Sequence, residues 1–105
     1  MSKVAAIRSL IYKNTIKDLV MTDTNKITIE FLKSEITDVK YTRINDRLTH
    51  CAITVKNGFV FTGESSCVDA ANYDKELGEK YAYEAAIDGM WMPYGFALRQ
   101  KLYGA

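Results

Sequence analysis

The sequence predicts an α+β fold: a three-stranded antiparallel meander with a central Asn-Gly hairpin, covered by helices. Three observations predict it. Thr49 to Glu64 (THCAITVKNGFVFTGE) reads as two β-rich runs around Asn57-Gly58, the pair that best tolerates φ > 0 at both centres of a two-residue type I′ turn. Asp38 to Ile44 (DVKYTRI) is a further run of β-formers, joined to the first by an Asn45-Asp46 turn. Apolar residues recur at helical spacing on both sides of these strands. A hairpin alone is marginal in water, so the helices must cover at least one sheet face.

With Asn57-Gly58 as the whole loop, Val55 faces Val60, Thr54 faces Phe61, Ile53 faces Thr62 and Cys51 lies opposite Glu64. One face then carries Cys51, Ile53, Val55, Val60 and Thr62. The other carries Ala52, Thr54, Lys56, Phe59 and Phe61. Both are partly apolar, so alternation leaves the core face open.

The helices follow in chain order. Ser2 to Val20 is helical in spacing, with Val4, Ile7, Leu10 and Ile11 in register and Ser2 as a cap; Asn14 and Thr15 allow a split into two short helices. Asp23 to Lys26 is a polar turn. Ile29, Leu32 and Ile36 place a short helix over Ile29 to Glu35, capped by Thr28. A long helix is expected from Asn72, its N-cap, to about Trp91, with Asp74 and Glu76 in its first turn and Pro93 ending it. Its stripe of Gly78, Ala82, Ala85, Ala86 and Gly89 is costly, at about 1 kcal/mol per interior glycine. Close approach by the sheet, by the C-terminal helix or by another copy of the chain would offset that cost. The stripe and the aromatic content lead us to expect a homo-oligomer. Phe96 to Tyr103 (FALRQKLY) forms a last short helix.

Composition bounds the function. The chain has 105 residues, enough for one domain with a modest core, and is 48% hydrophobic and 26% charged. Fourteen basic and thirteen acidic residues leave a net charge of +1, so direct nucleic-acid binding is not expected. No apolar run approaches the roughly 20 residues that span a bilayer, so no membrane role is expected. Arg8 and Ser9 interrupt the first apolar stretch, which argues against a signal peptide. Two cysteines do not make a disulfide scaffold, and a reducing cytosol suits them.

Motifs of catalysis are absent: no P-loop, G-x-G-x-x-G, G-x-S-x-G or H-E-x-x-H. The single histidine, His50, adjoins Cys51 in a strand, so the two side chains point to opposite faces; a dyad with Cys67 needs the chain after Glu64 to fold back. His50, Cys51 and Cys67 lack a fourth zinc ligand. We therefore expect no enzyme, no catalytic residue, no metal and no cofactor, with small buried cysteines as the reading the residues favour. Glu64, Ser65 and Ser66, just ahead of the long helix, suit a polar ligand or simply a capped turn.

Longer motifs run through the second half. Cys51 precedes an apolar strand, followed by Lys56 to Phe59 (K-N-G-F), then Thr62 to Ser65 with Cys67 (T-G-E-S-x-C). Asn72 to Asp74, Glu76 to Gly78 and Lys80, then Trp91, Gly95-Phe96 and Leu98-Arg99 complete the set. Over Cys51 to Leu102 the chain resembles the tailed-phage family named for gp-forty-nine and gp-sixty-six. It departs in having Trp91-Met92-Pro93-Tyr94-Gly95 where W-P-L-x-G is usual. On this resemblance the chain is one domain, 1–105, with a family-like core over 28–105 behind a variable helical segment, 1–27. The resemblance implies a phage-encoded protein in the cytoplasm of the infected bacterial host and supplies no activity. Two functions are then expected to compete. One is a non-enzymatic inhibitor docking on a host defence or regulatory protein, with Tyr83, Trp91, Tyr94 and Arg99 as contact residues. The other is a sponge for a small signalling nucleotide, with Lys56, Ser65, Ser66, Lys80 and Arg99 as polar contacts. The aromatics outnumber plausible phosphate ligands, which favours the inhibitor.

Overall fold

The computed structural model describes residues 25–104. The helix expected over Ser2 to Val20 lies outside the described residues. Helix α1, Ile29–Ser34, begins where Thr28 accepts the Phe31 N–H at 3.1 Å, and it buries Leu32 completely. Strands β1 (Ile36–Arg43), β2 (Leu48–Val55) and β3 (Val60–Ser66) form the antiparallel meander in the order β1-β2-β3. A single turn of 3-10 helix, Ala70–Asn72, leads to α2, Lys75–Asp88, and then to α3, Trp91–Gly104. The α+β meander predicted from sequence is the fold observed.

The hairpin register differs from the two-residue reading by one position. Ile53 pairs with Phe61, Cys51 with Gly63 and His50 with Glu64. The loop holds three residues, Lys56, Asn57 and Gly58: the Val55 N–H donates to Phe59 O at 3.0 Å, and the Gly58 N–H to Val55 O at 2.8 Å. Of the three loop residues only Gly58 adopts positive φ, at 93°, which fits a type I turn closed by a left-handed glycine rather than a type I′ turn. The side chain of Asn57 accepts the Phe59 N–H at 2.9 Å and supports the turn without a positive φ of its own.

This register solves the problem that alternation left open. β2 alternates strictly, with Thr49, Cys51, Ile53 and Val55 buried. Its neighbours on that face are Phe61 and Gly63 from β3, and Val39 and Tyr41 from β1. The two-residue register would have set Glu64 opposite Cys51, and burying an unpaired carboxylate there is costly. As built, Glu64 lies on the opposite face beside His50, its carboxylate 2.9 Å from Nδ1. That face, with Lys40, Ala52 and Thr62 in one row, is half-buried to exposed, as a one-sided antiparallel sheet allows.

α2 lies on the covered face. Its small residues meet the sheet of their own chain: Ala82 and Ala86 are completely buried over Gly63. A Cβ on Gly63 would stand 2.2 Å from the Ala86 nitrogen and 2.5 Å from the Ala82 oxygen. One on Gly78 would stand 2.8 Å from Thr49 Oγ1. Of the three approaching elements weighed above, the sheet is the one observed, so the stripe is occupied and gives no support to the expected oligomer. Ile87 and Met90 complete the core with Leu32, Ile53 and Val55; each fully buried side chain of this size contributes roughly 1.5–3 kcal/mol.

Three helix boundaries differ from expectation: both ends of α2 and the start of α3. Asp74, not Asn72, caps α2, accepting the Leu77 N–H at 3.1 Å; Asn72 belongs to the 3-10 turn, which Asp69 caps. The helix expected to run to Trp91 breaks at Gly89-Met90, whose N–H groups close the last turn onto Ala86 O and Ile87 O. Pro93 then sits in the first turn of α3, where a missing N–H costs no intrahelical bond. It starts a helix rather than ending one, and Phe96 to Tyr103 is the continuation of that helix.

Candidate functional site

At one end of the sheet, four rings form a ladder. Phe59 stands edge-on to Phe61, with centroids 5.0 Å apart. Phe61 lies 6.2 Å from Tyr94 of α3, and Tyr94 lies 5.9 Å from Phe31 of α1, again edge-on. Such pairs are worth about 0.5–1.5 kcal/mol each beyond their buried area, so the ladder is stiff. Its outermost ring, Phe59, is 60% exposed. Beneath it Glu35, nearly buried at the end of α1, gathers three contacts. Its carboxylate lies 3.6 Å from Lys56 Nζ and accepts the Tyr94 hydroxyl at 3.2 Å, and its carbonyl accepts the Lys56 N–H at 3.0 Å. The result is an exposed aromatic anchor on a rigid base, rimmed by a half-exposed cation.

The opposite end carries a cleft of about 180 Å³ lined by Arg47, Ser65, Ser66, Tyr73, Leu77 and Tyr81, among others. Its floor is the buried Thr49, whose hydroxyl is 3.3 Å from the Tyr73 hydroxyl. Arg43 stacks 3.7 Å over the Tyr73 ring while donating to Asn45 O and Asp46 O, so its charge is engaged by the β1–β2 turn. The start of α2 borders the cleft, but Asp74 already occupies the Leu77 N–H and adds a carboxylate.

The residues singled out in sequence divide between these ends. Ser65 and Ser66 line the cleft. Lys56 sits at the hairpin turn, roughly 20 Å away along the strands. Lys80 lies on α2, 3.9 Å from Glu84 and 5.5 Å from the Tyr81 centroid, and Arg99 is exposed on α3; neither lines the cleft. The five polar residues of the nucleotide reading therefore do not converge. Of the four contact residues, Tyr83 and Tyr94 pack against the core, Trp91 is partly exposed and Arg99 exposed. Sequence reading missed Phe59 as an anchor, Phe31 and Phe61 behind it, and the role of Glu35. A three-residue loop would have revealed the first of these, because it sets Phe59 and Phe61 on the face of Val55 and Ile53.

Among the described residues, neither cysteine pairs with His50, whose Nδ1 lies 2.9 Å from the Glu64 carboxylate. Cys51 is completely buried on the other face, where burial, then the nearby Glu79 carboxylate, push its thiol up from the ordinary value. Tyr41 and Tyr83 are also raised, first by burial and then by Cys51. A thiol held protonated is a poor nucleophile. Both cysteines are free. Among the described residues, no cluster of His, Cys, Asp and Glu is placed to hold a metal, and no helix is long and apolar enough to cross a membrane.

The sequence model of the phage protein (N4 Gp49/phage Sf6 gene 66) family matches residues 5–102. The chain belongs to this family. The match extends well beyond the Cys51 to Leu102 motifs and makes the protein a phage protein. No curated protein and no solved structure matches the chain. The motif residues of this N4 Gp49/Sf6 gene 66 family member are mostly architectural: Asn57-Gly58 turns the hairpin, Gly63 admits α2, Asp74 caps α2 and Gly78 clears Thr49.

Proposed function

We propose that this phage protein is a non-enzymatic binding protein that inhibits a host defence or regulatory factor by direct contact through its aromatic end, in the host cytoplasm. The observation that carries the reading is Phe59, exposed on a ladder that packing and Glu35 hold in place. A large ring fixed before binding loses little entropy on docking, and such rings dominate interface energetics. The cleft supports the nucleotide sponge less well. Its 180 Å³ falls below the roughly 300–1,000 Å³ typical of small-molecule sites, and Asp74 repels phosphate at the helix start.

The test is capture from infected cells by tagged protein, with and without Phe59→Ala. The substitution removes an exposed ring, so folding is retained, and a host protein captured by the wild type is lost by about tenfold or more. Equal capture by both forms refutes the surface. Mass spectrometry of small molecules released on heating runs beside it, and a nucleotide released without any captured host protein favours the sponge.

A further inference from the structure

α2 and α3 each leave a broad face in solvent, which also carries Lys75, Glu76 and Lys80 on α2 and Trp91, Ala97, Gln100 and Lys101 on α3; within these faces one stripe on each helix has the same spacing. On α2 the stripe is Leu77, Tyr81, Glu84 and Asp88; on α3 it is Met92, Phe96, Arg99 and Tyr103. Steps of four, three and four keep side chains in one sector of a helix, the spacing of a helix–helix seam. The apolar members are open: Leu77 is 46% exposed, Tyr81 49%, Met92 84%, Phe96 67% and Tyr103 78%. The charges are complementary. The α2 stripe ends in two carboxylates, while α3 contains no acidic residue and its stripe carries Arg99.

We infer that two copies of this chain pair through these stripes, α2 of one lying parallel to α3 of the other. In that register Leu77 meets Met92, Tyr81 meets Phe96, Glu84 meets Arg99, and Asp88 reaches the Tyr103 hydroxyl. The antiparallel register instead sets Glu84 on Phe96 and Asp88 on Met92. One chain cannot make the contact by itself. Parallel neighbours about 21 Å long need a return connection of similar length, and only Gly89 and Met90 separate α2 from α3. A twofold axis along the bisector of the two helices exchanges their directions, so the contact is made twice in a closed dimer. Residues 1–24 fit the α3 stripe less well: Lys3, Arg8, Lys13 and Lys17 outnumber Asp18 and Asp23, which sets like charge against Arg99. This dimer uses none of the ladder residues and stands apart from the proposed host contact.

Light scattering of the full chain at micromolar concentration tests it. The wild type runs at twice the 11.9 kDa chain mass. Arg99→Glu and Glu84→Arg each raise the dimer dissociation constant by about tenfold or more, because like charges then face each other. An equimolar mixture of the two variants pairs again, since position 84 of each chain then faces the opposite charge at position 99 of its partner. Phe96→Ser, which leaves every charge in place, also loses the dimer. A wild type at the single-chain mass, a dimer that survives both reversals, or a mixture that stays monomeric overturns the inference.

Discussion

Replacing Gly63 with alanine tests the central packing claim, that β3 and α2 touch backbone to backbone. The added Cβ would meet three main-chain atoms: Ala86 N at 2.2 Å, Ala82 O at 2.5 Å and the Ala85 carbonyl carbon at 2.7 Å. The nearest falls more than about 1 Å short of ordinary contact, which begins at 3.4 Å. No flexible side chain can swing away, so a strand or a helix must move. Overpacking of cores costs typically 1–3 kcal/mol, and displacement of a whole helix belongs at or above the upper end. A loss of about 3 kcal/mol is a large share of the 5–15 kcal/mol that holds a domain of this size. With a urea slope of about 2 kcal/mol/M the midpoint falls by about 1.5 M, and the melting temperature by at least about 12 °C. Gly95→Ala is the control: its Cβ meets nothing within 4 Å in α3, so it is neutral or gains up to about 1 kcal/mol from helix propensity. A cost below about 1 kcal/mol at Gly63 would refute the close approach.

Two further outcomes follow from the turn and from the buried titrating groups. Gly58→Ala, at φ 93°, costs about 1 kcal/mol in urea unfolding, while Asn57→Ala loses only the bond to the Phe59 N–H and costs about 0.5–1 kcal/mol; a much larger loss at Asn57 would point back to a type I′ turn. Cys51, Tyr41 and Tyr83 hold their protons more tightly in the native chain than in the unfolded one, where the ordinary values are 9.0 and 10.0. The unfolded state therefore deprotonates first, so the stability these three groups supply is complete below about pH 9 and declines as pH rises above it. Urea midpoints compared at about pH 8 and about pH 10.5 read this decline, and Cys51→Ala removes the part that sets in first; a midpoint that does not fall on the alkaline side contradicts it.

Local chemistry was legible and long-range register was not. Thr28 announces α1 because a cap needs only its own helix. The three strands are legible from β-rich runs and turn residues in the same way. Asn57-Gly58 marks a hairpin but supports two loop lengths, and the choice between them depends on what lies under α2. Only a residue without a Cβ can lie between Ala82 and Ala86, so Gly63 must face inward, and that constraint comes from residues some twenty positions later. Pro93 is ambiguous for a related reason, since it stops one helix or opens the next depending on where the chain turns. Arg47, Ser65 and Tyr73 come together in the cleft through tertiary packing that no local motif reports. The aromatic ladder draws rings from α1, β3 and α3, so its members look unrelated along the chain.

The three contacts at Glu35 have a consequence for how the molecule opens. Lys56 and Tyr94 lie 21 and 59 residues further along the chain, yet both are fastened to the last turn of a six-residue helix. A surface turn would normally fray by itself on a fast timescale. Here the amide of Lys56 cannot be released while α1 stays seated, and α1 cannot lift without also freeing the Tyr94 hydroxyl. The hairpin tip, the short helix and the first turn of α3 thus form one cooperative unit with a shared opening free energy. Hydrogen exchange at the Lys56 amide reports the dissociation of α1, and a protein that clasps Phe59 slows that exchange by holding α1 in place.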